Sequence, residues 1–246
     1  MPTFGSLFAG IGGIDLGLER AGWECRFQVE WDAYCQRVLA KHWPDVPRYG
    51  DITAVDWSGV ERVDLLAGGF PCQPVSVAGY QRAQDDERWL WPDFLGAIRA
   101  LRPRLVLVEN VPNLLAVAGG SAFGDVIGGL ADIGYDAEWS VVSACAVGAP
   151  HMRRRLFIVA YPHGEHGRAG IWDTSSRQRR AVQAIDRLEG ARAGWGTRLE
   201  NPSALYRDAD GLPDGMDRNH AIGNAVVPQV VEVIGLRLLA SLEQAA

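Results

Sequence analysis

The sequence predicts an α/β fold built on a doubly wound, mostly parallel sheet. Three observations predict it. Short apolar runs alternate with helical patterns over the first 160 residues, the signature of βαβ units. The run Leu105 to Val108 is Leu and Val without polar interruption, as a strand buried on both faces requires. Glycines cluster where the first strand should turn into the first helix, in Gly10-Ile11-Gly12-Gly13.

The elements follow in order. Thr3 to Ala9 reads as a strand and Ile14 to Ala21 as a helix. Cys25 to Glu30 is strand-like and Ala33 to His42 helical, with a short third strand ending before Gly50. Val63 to Ala67 is a buried strand, Phe94 to Leu101 a helix, and Leu105 to Val108 the central parallel strand. Phe123 to Ile133 is helical, and Glu138 to Ser143 with Leu156 to Ala160 form a closing pair of strands. From His163 to Arg218 the periodicity dissolves under Gly, Pro, Arg and Asp, and only Arg180 to Leu188 is helical. Regularity returns at Val226 to Leu239, a helix that packs back on the sheet. The expected division is 1–162, a small irregular region over 163–218, and a returning segment over 219–246.

A chain of 246 residues supports one sizeable core, and 48% apolar with 22% charged residues is ordinary for a globular protein. No apolar run is long enough to span a bilayer, and Met1-Pro2-Thr3-Phe4 has no basic region before its apolar stretch, so a cytoplasmic location is expected. Cys25, Cys35, Cys72 and Cys145 form no C-x-x-C pair and match no zinc spacing, so no metal is expected and three of the four read as inert packing residues. The net charge of −6 argues mildly against a nucleic-acid binder. Residues 151–198, however, hold ten arginines and four acids, which makes that segment +6 and the rest −12. Such asymmetry suits one polyanion-facing surface; a solvated arginine-rich loop explains it equally well.

Two clusters carry the chemistry. At a strand-to-helix turn, Phe8-Ala9-Gly10-Ile11-Gly12-Gly13 lets the backbone approach a ligand and leaves helix N–H groups free. Glu30 ends the second strand, where a carboxylate can accept both ribose hydroxyls, and Asp51 follows the third, in reach of an adenine amino group. A tight turn without ligand is the plain alternative for Gly12 and Gly13, and the spacing is not G-x-G-x-x-G. The second cluster begins with Gly68-Gly69-Phe70-Pro71-Cys72-Gln73-Pro74-Val75-Ser76, a cysteine in a stiff loop after a buried strand. It is either a nucleophile or a packed thiol. Glu109-Asn110-Val111-Pro112 ends the next strand, and Glu109 there is either hydrogen-bonded for structure or poised as a general acid. In His151-Met152-Arg153-Arg154-Arg155, alternation puts Arg153 and Arg155 on one face, either holding an anion or lining an edge.

Phe8 to Gly13, Pro71-Cys72-Gln73, Glu109-Asn110-Val111, the Arg153/Arg155 pair and Ile222-Gly223-Asn224-Ala225-Val226-Val227-Pro228 occur in the order found in cytosine-5 DNA methyltransferases, which the chain resembles up to about residue 160 and again from about 220. Its compactness is similar to phage or prophage members. The resemblance implies a Rossmann-like methyltransferase sheet that binds S-adenosyl-L-methionine and acts on double-stranded DNA, within restriction-modification or alone, as a monomer. It implies that a cytosine is swung out of the duplex, that Cys72 attacks its carbon 6, that Glu109 bonds ring nitrogen 3 and the exocyclic amine, and that Arg153 and Arg155 orient the base. It places Phe8, Ala9, Gly10, Ile11, Gly12, Gly13, Glu30, Trp31, Asp51, Ile52, Pro71, Leu90, Asn224, Ala225 and Val226 around the cofactor, and Gln73, Ser76, Asn110 and Val111 by the substrate. The loop Gln73 to Arg88 would close over the flipped base, and 163–218 would be the target-recognition region. His151 stands where the family usually has Gln, that region is shorter than usual, and the Arg-and-Glu element before the final Gly-Asn segment is missing. An RNA cytosine methyltransferase keeps the same chemistry, but Pro71-Cys72-Gln73-Pro74 favours DNA. A catalytically silent DNA-binding relative is the alternative of another class, against which all the expected catalytic residue types are present; a nicotinamide oxidoreductase would need a different glycine spacing and leaves Cys72 and Glu109 without a role.

Overall fold

The computed structural model describes residues 1–71, 89–164, 171–172 and 225–243. Within them lie β1 (Thr3–Leu7), α1 (Gly13–Arg20), β2 (Glu24–Val29), α2 (Ala33–His42), β3 (Arg48–Tyr49), β4 (Leu65–Gly68), α3 (Trp91–Leu101), β5 (Leu105–Asn110), α4 (Ser121–Asp132), β6 (Tyr135–Ser143), β7 (Arg154–Pro162) and α5 (Pro228–Glu243). The helix expected at Arg180 to Leu188 and nearly all of 163–218 lie outside the described residues, as does the loop Gln73 to Arg88.

The strands form one seven-stranded sheet in the order β3-β2-β1-β4-β5-β7-β6. β1 through β5 pair in parallel, while β7 runs antiparallel to both β5 and β6. The order reverses between β1 and β4, and ligands of open α/β sheets bind outside the carboxyl ends of the strands at such a point. The expectation that Leu105 to Val108 is a central parallel strand holds on one side only. It is parallel to β4, and the antiparallel β7 fills its other flank. That reversal matters for the site: β7 starts at the edge where β5 ends, with Leu156 opposite Asn110.

Alternation along the central strands fills two cores. Leu66, Val106 and Val108 face one side and pack with Phe94 and Ile98 of α3 and Val126 and Leu130 of α4. Leu65, Ala67, Leu105 and Leu107 face the other and pack with Ile14 and Leu18 of α1 and Val231, Ile234 and Leu238 of α5. The α1–α5 contact is close because it is made of small residues. A Cβ on Gly17 would lie 2.5 Å from the Pro228 carbonyl oxygen, and one on Gly235 2.8 Å from the Ala21 Cβ. Trp23 Nε1 donates to the Gly235 carbonyl at 3.1 Å and fastens the crossing.

Boundaries shift for local reasons. β1 ends at Leu7 and not at Ala9, since Phe8 turns to a φ of 52°. α3 starts at Trp91, three residues ahead of expectation, helped by a proline in its first turn. α2 has the expected bounds and is capped by Asp32, which accepts the Cys35 N–H at 2.8 Å. Among the described residues no helix is long and apolar enough to cross a membrane.

Candidate active site

The site forms along the edge where β1, β2, β4 and β5 end. The first part is the turn after β1. Phe8 and Gly10 both take positive φ, 52° and 56°, which aims the Gly10 N–H away from the strand path. A Cβ on Gly10 would meet nothing within 4 Å, so the turn's crest borders open space at the switch point. Gly13 is tight instead: a Cβ there would lie 2.7 Å from the Val226 carbonyl oxygen. The returning segment, with buried Val226 and half-buried Ala225, therefore abuts the foot of this turn. Ala9 is buried and Ile11 half-buried.

Glu30, buried just past β2, accepts the Gly10 N–H at 2.6 Å through Oε2 and the Asp32 N–H at 2.8 Å through Oε1. Burial pushes its carboxyl up, and these two donors hold it down. Each oxygen keeps a second lone-pair direction for a ligand hydroxyl. Trp31 beside it is 79% exposed, an unusual place for an indole. Asp51, past β3, accepts the Thr53 N–H at 2.9 Å and hydroxyl at 2.8 Å, which hold its carboxyl below the usual range. Ile52 is buried behind it. Leu90, half-buried, precedes α3 and packs on the first core, and Phe8 reaches the same core through Phe94 at a ring distance of 6.1 Å. The donor set fits a nucleoside: carboxylates for hydroxyl and amino groups, apolar walls, and an approachable backbone.

The second part is built on β5. Glu109 is nearly buried, and burial pushes its carboxyl up to about 7 despite the opposing positive charges of Arg155 and Arg153. Arg155 Nε stands 2.8 Å from Oε1, ion-pair distance, but its N–H is not aimed along the oxygen, so Oε1 receives no directed hydrogen bond among the described residues. Both arginines act on one carboxylate, which agrees with their placement on one face, and Arg154 between them is exposed. The following residue ties strands together. Asn110 Nδ2 donates to the Phe70 carbonyl at 3.0 Å, and its Oδ1 accepts the Val111 N–H at 2.8 Å. The stretch after β4 thus runs directly against Glu109: a Cβ on Gly69 would sit 2.5 Å from Oε2. Pro71 is exposed at the end of this stretch, and Val111 is half-buried.

Cys72, Gln73, Ser76 and Asn224 lie outside the described residues. Of the other cysteines, Cys25 and Cys35 are buried as expected, but Cys145 is exposed, its sulfur 3.0 Å from the Ser143 hydroxyl, so it is no packing residue. The turn that follows β6 places it at the surface. His163 pairs with Asp136 at 2.8 Å. Sequence reasoning missed three features: Gly69 against Glu109; the ring cluster of Phe70 with Trp89 and Trp91 at 5.3 and 5.4 Å; and Asp15, a fully buried acid. The last was findable, since Asp15 falls one turn before Leu18 on the apolar face of α1.

The family model for the C-5 cytosine-specific DNA methylase matches residues 2–193. The type II methyltransferase M.BsuFI of Bacillus subtilis is 34% identical over 223 residues, 87% of this chain and 53% of that protein. M.HhaI of Haemophilus parahaemolyticus is 35% identical over 159 residues, 64% of this chain and 48% of that protein. The chain spans about half the length of these curated relatives. In structure, the Entamoeba histolytica methyltransferase EhMeth superposes with a TM-score of 0.65 at 14% identity, covering 98% of this chain and 99% of that one. A DNMT2 variant of Spodoptera frugiperda gives 0.57 at 19% identity, covering 67% of this chain and 51% of that one. At these identities the likeness is one of fold.

Proposed function

Because this chain belongs to the C-5 cytosine-specific DNA methylase family, we propose that it methylates carbon 5 of cytosine in double-stranded DNA, as a type II modification methyltransferase does. The observation that carries the reading is Glu109: a buried carboxyl held up at about 7 beside two arginines, with the chain leading to Cys72 packed on its carboxylate. A neutral carboxyl that can give a proton near pH 7 is what an electron-poor pyrimidine ring needs.

S-adenosyl-L-methionine, the family's donor, supplies an electrophilic methyl group when bound. In this reading Glu30 takes the ribose hydroxyls, Asp51 the adenine amino group, and Phe8, Trp31 and Ile52 flank the base, while Gly10, open on its Cα side, allows close backbone approach. Cys72 follows Pro71 directly, so covalent reach alone keeps its Cα within about 8 Å of that of Phe70. The Cys72 thiolate adds to carbon 6 of an extruded cytosine. Glu109 gives a proton to ring nitrogen 3, which neutralises the charge that the addition pushes onto the ring, and carbon 5 becomes nucleophilic. Arg155 and Arg153 hold the base in register with Glu109. Once carbon 5 has taken the methyl group, loss of the carbon 5 proton expels the Cys72 thiolate, Glu109 takes back the nitrogen 3 proton, and the aromatic ring is restored. Residues 1–162 and 219–246 form the catalytic part and 163–218 the recognition part. In this reading the protein acts as a monomer in the cytoplasm.

The test is covalent trapping. A duplex with 5-fluorocytosine has no removable proton at carbon 5, so the Cys72 adduct persists and migrates as a protein–DNA band in denaturing gels. Wild type with donor should form the band, and Cys72→Ser should not. A band on fluorocytosine RNA and none on DNA would reassign the polymer. No band on either would refute the activity.

A further inference from the structure

The turn Phe8 to Gly13 has two feet: Ser6, two residues before it in β1, and Asp15, two residues after it in the first turn of α1. The Ser6 hydroxyl donates to Asp15 Oδ2 at 3.0 Å and closes the turn at its base. Gln28 of β2 donates from Nε2 to Asp15 Oδ1 at 2.8 Å, and the Cys25 thiol, also of β2, lies 3.8 Å from that oxygen. Ser6, Asp15 and Gln28 are all 0% exposed. No cationic side chain pairs with Asp15 among the described residues, and burial pushes its carboxyl up to about 6 while Gln28 and Ser6 hold it down. A buried acid is costly where Leu would serve packing alone, so its hydrogen bonds must set geometry that packing cannot.

From Gln28 the chain runs two residues to Glu30, which holds the crest of the same turn through the Gly10 N–H at 2.6 Å. The turn is therefore gripped at its base by Asp15 and at its crest by Glu30, and both grips are tied to β2. We infer that Asp15 is a positioning residue for the methyl-donor site: its bonds to Ser6 and Gln28 set the turn Phe8 to Gly13 at the spacing from Glu30 that a nucleoside occupies. The inference rests on the donor reading above. Asp15 acts through the turn and need not touch the donor.

Donor affinity, measured by calorimetry with S-adenosyl-L-methionine and no DNA, separates this role from a structural one. Asp15→Ala should weaken binding by about tenfold or more, and Ser6→Ala by a smaller factor, each reflecting the removal of buried hydrogen bonds. Asp15→Asn keeps an acceptor for Gln28 and should bind within about threefold of wild type. Leu130→Ala, a core truncation in α4, should lower the melting temperature and leave the affinity unchanged. Amide exchange without donor should quicken at Gly10, Gly12 and Gly13 in Asp15→Ala but not in Leu130→Ala. Wild-type affinity in Asp15→Ala, or in Ser6→Ala should the Asp15→Ala variant not fold, overturns the role of Asp15 alone. No donor binding by wild type overturns the donor reading itself, and this inference with it.

Discussion

Glu109 concentrates the residue-scale physics. Its carboxyl rests at about 7 against a usual 4.5, with burial the larger cause and the arginines opposing it. The protonated form is the proposed donor to the ring, so the rate of methyl transfer should fall as pH rises through about 7. Glu109→Gln should lower the rate roughly 10²–10⁴-fold, the usual weight of a positioned acid, and flatten this limb of the pH profile. Stability follows the same shift. Below the unfolded value both states carry the proton and the contribution is intact. Between the two values only the folded state holds it, so stability declines with pH and the contribution is gone above about 7. The span is on the order of 3 kcal/mol. Urea unfolding of wild type and Glu109→Gln at mildly acidic and mildly basic pH checks the sign: the variant should gain relative to wild type as pH rises.

At the scale of elements, the α1–α5 crossing links the returning segment to the turn Phe8 to Gly13. Gly17 faces the Pro228 carbonyl at a distance no Cβ can share, and Gly13 faces that of Val226. Backbone lies on the far side in both cases, and backbone yields poorly. Gly17→Ala should therefore cost about 1–3 kcal/mol by overpacking, even though alanine favours helix intrinsically. It should also weaken donor binding, since α5 can only make room by drawing Val226 off the turn. A melting curve with and without S-adenosyl-L-methionine measures both; a stabilised variant would contradict the packing argument.

At the scale of the whole molecule, the sheet puts both parts of the candidate site on one edge, and charge is distributed unevenly along the chain. Residues 151–198 are +6 within a chain of −6. In the proposed function this segment neutralises phosphate, so the logarithm of DNA affinity should fall linearly with the logarithm of salt concentration. Replacing Arg177, Arg179 and Arg180 by Ser should reduce that slope by up to about 0.9 for each phosphate no longer neutralised, with little change in donor affinity. An unchanged slope in filter binding would remove these arginines from the DNA surface.

The sequence by itself determined the order of elements and the residue types of the site. Apolar period, glycine turns and strand-end carboxylates are local signals, so β2, α2 and β5 and the positions of Glu30 and Glu109 were legible in it. Only the tertiary structure decided which of these meet. That β7 runs antiparallel and brings Arg155 to Glu109, that Gly69 lies on that carboxylate, and that Asp15 grips β1 and β2 are facts of strand order and helix docking. Contacts between residues far apart in the chain depend on how two cores close around one sheet, and no stretch of neighbouring residues encodes that closure.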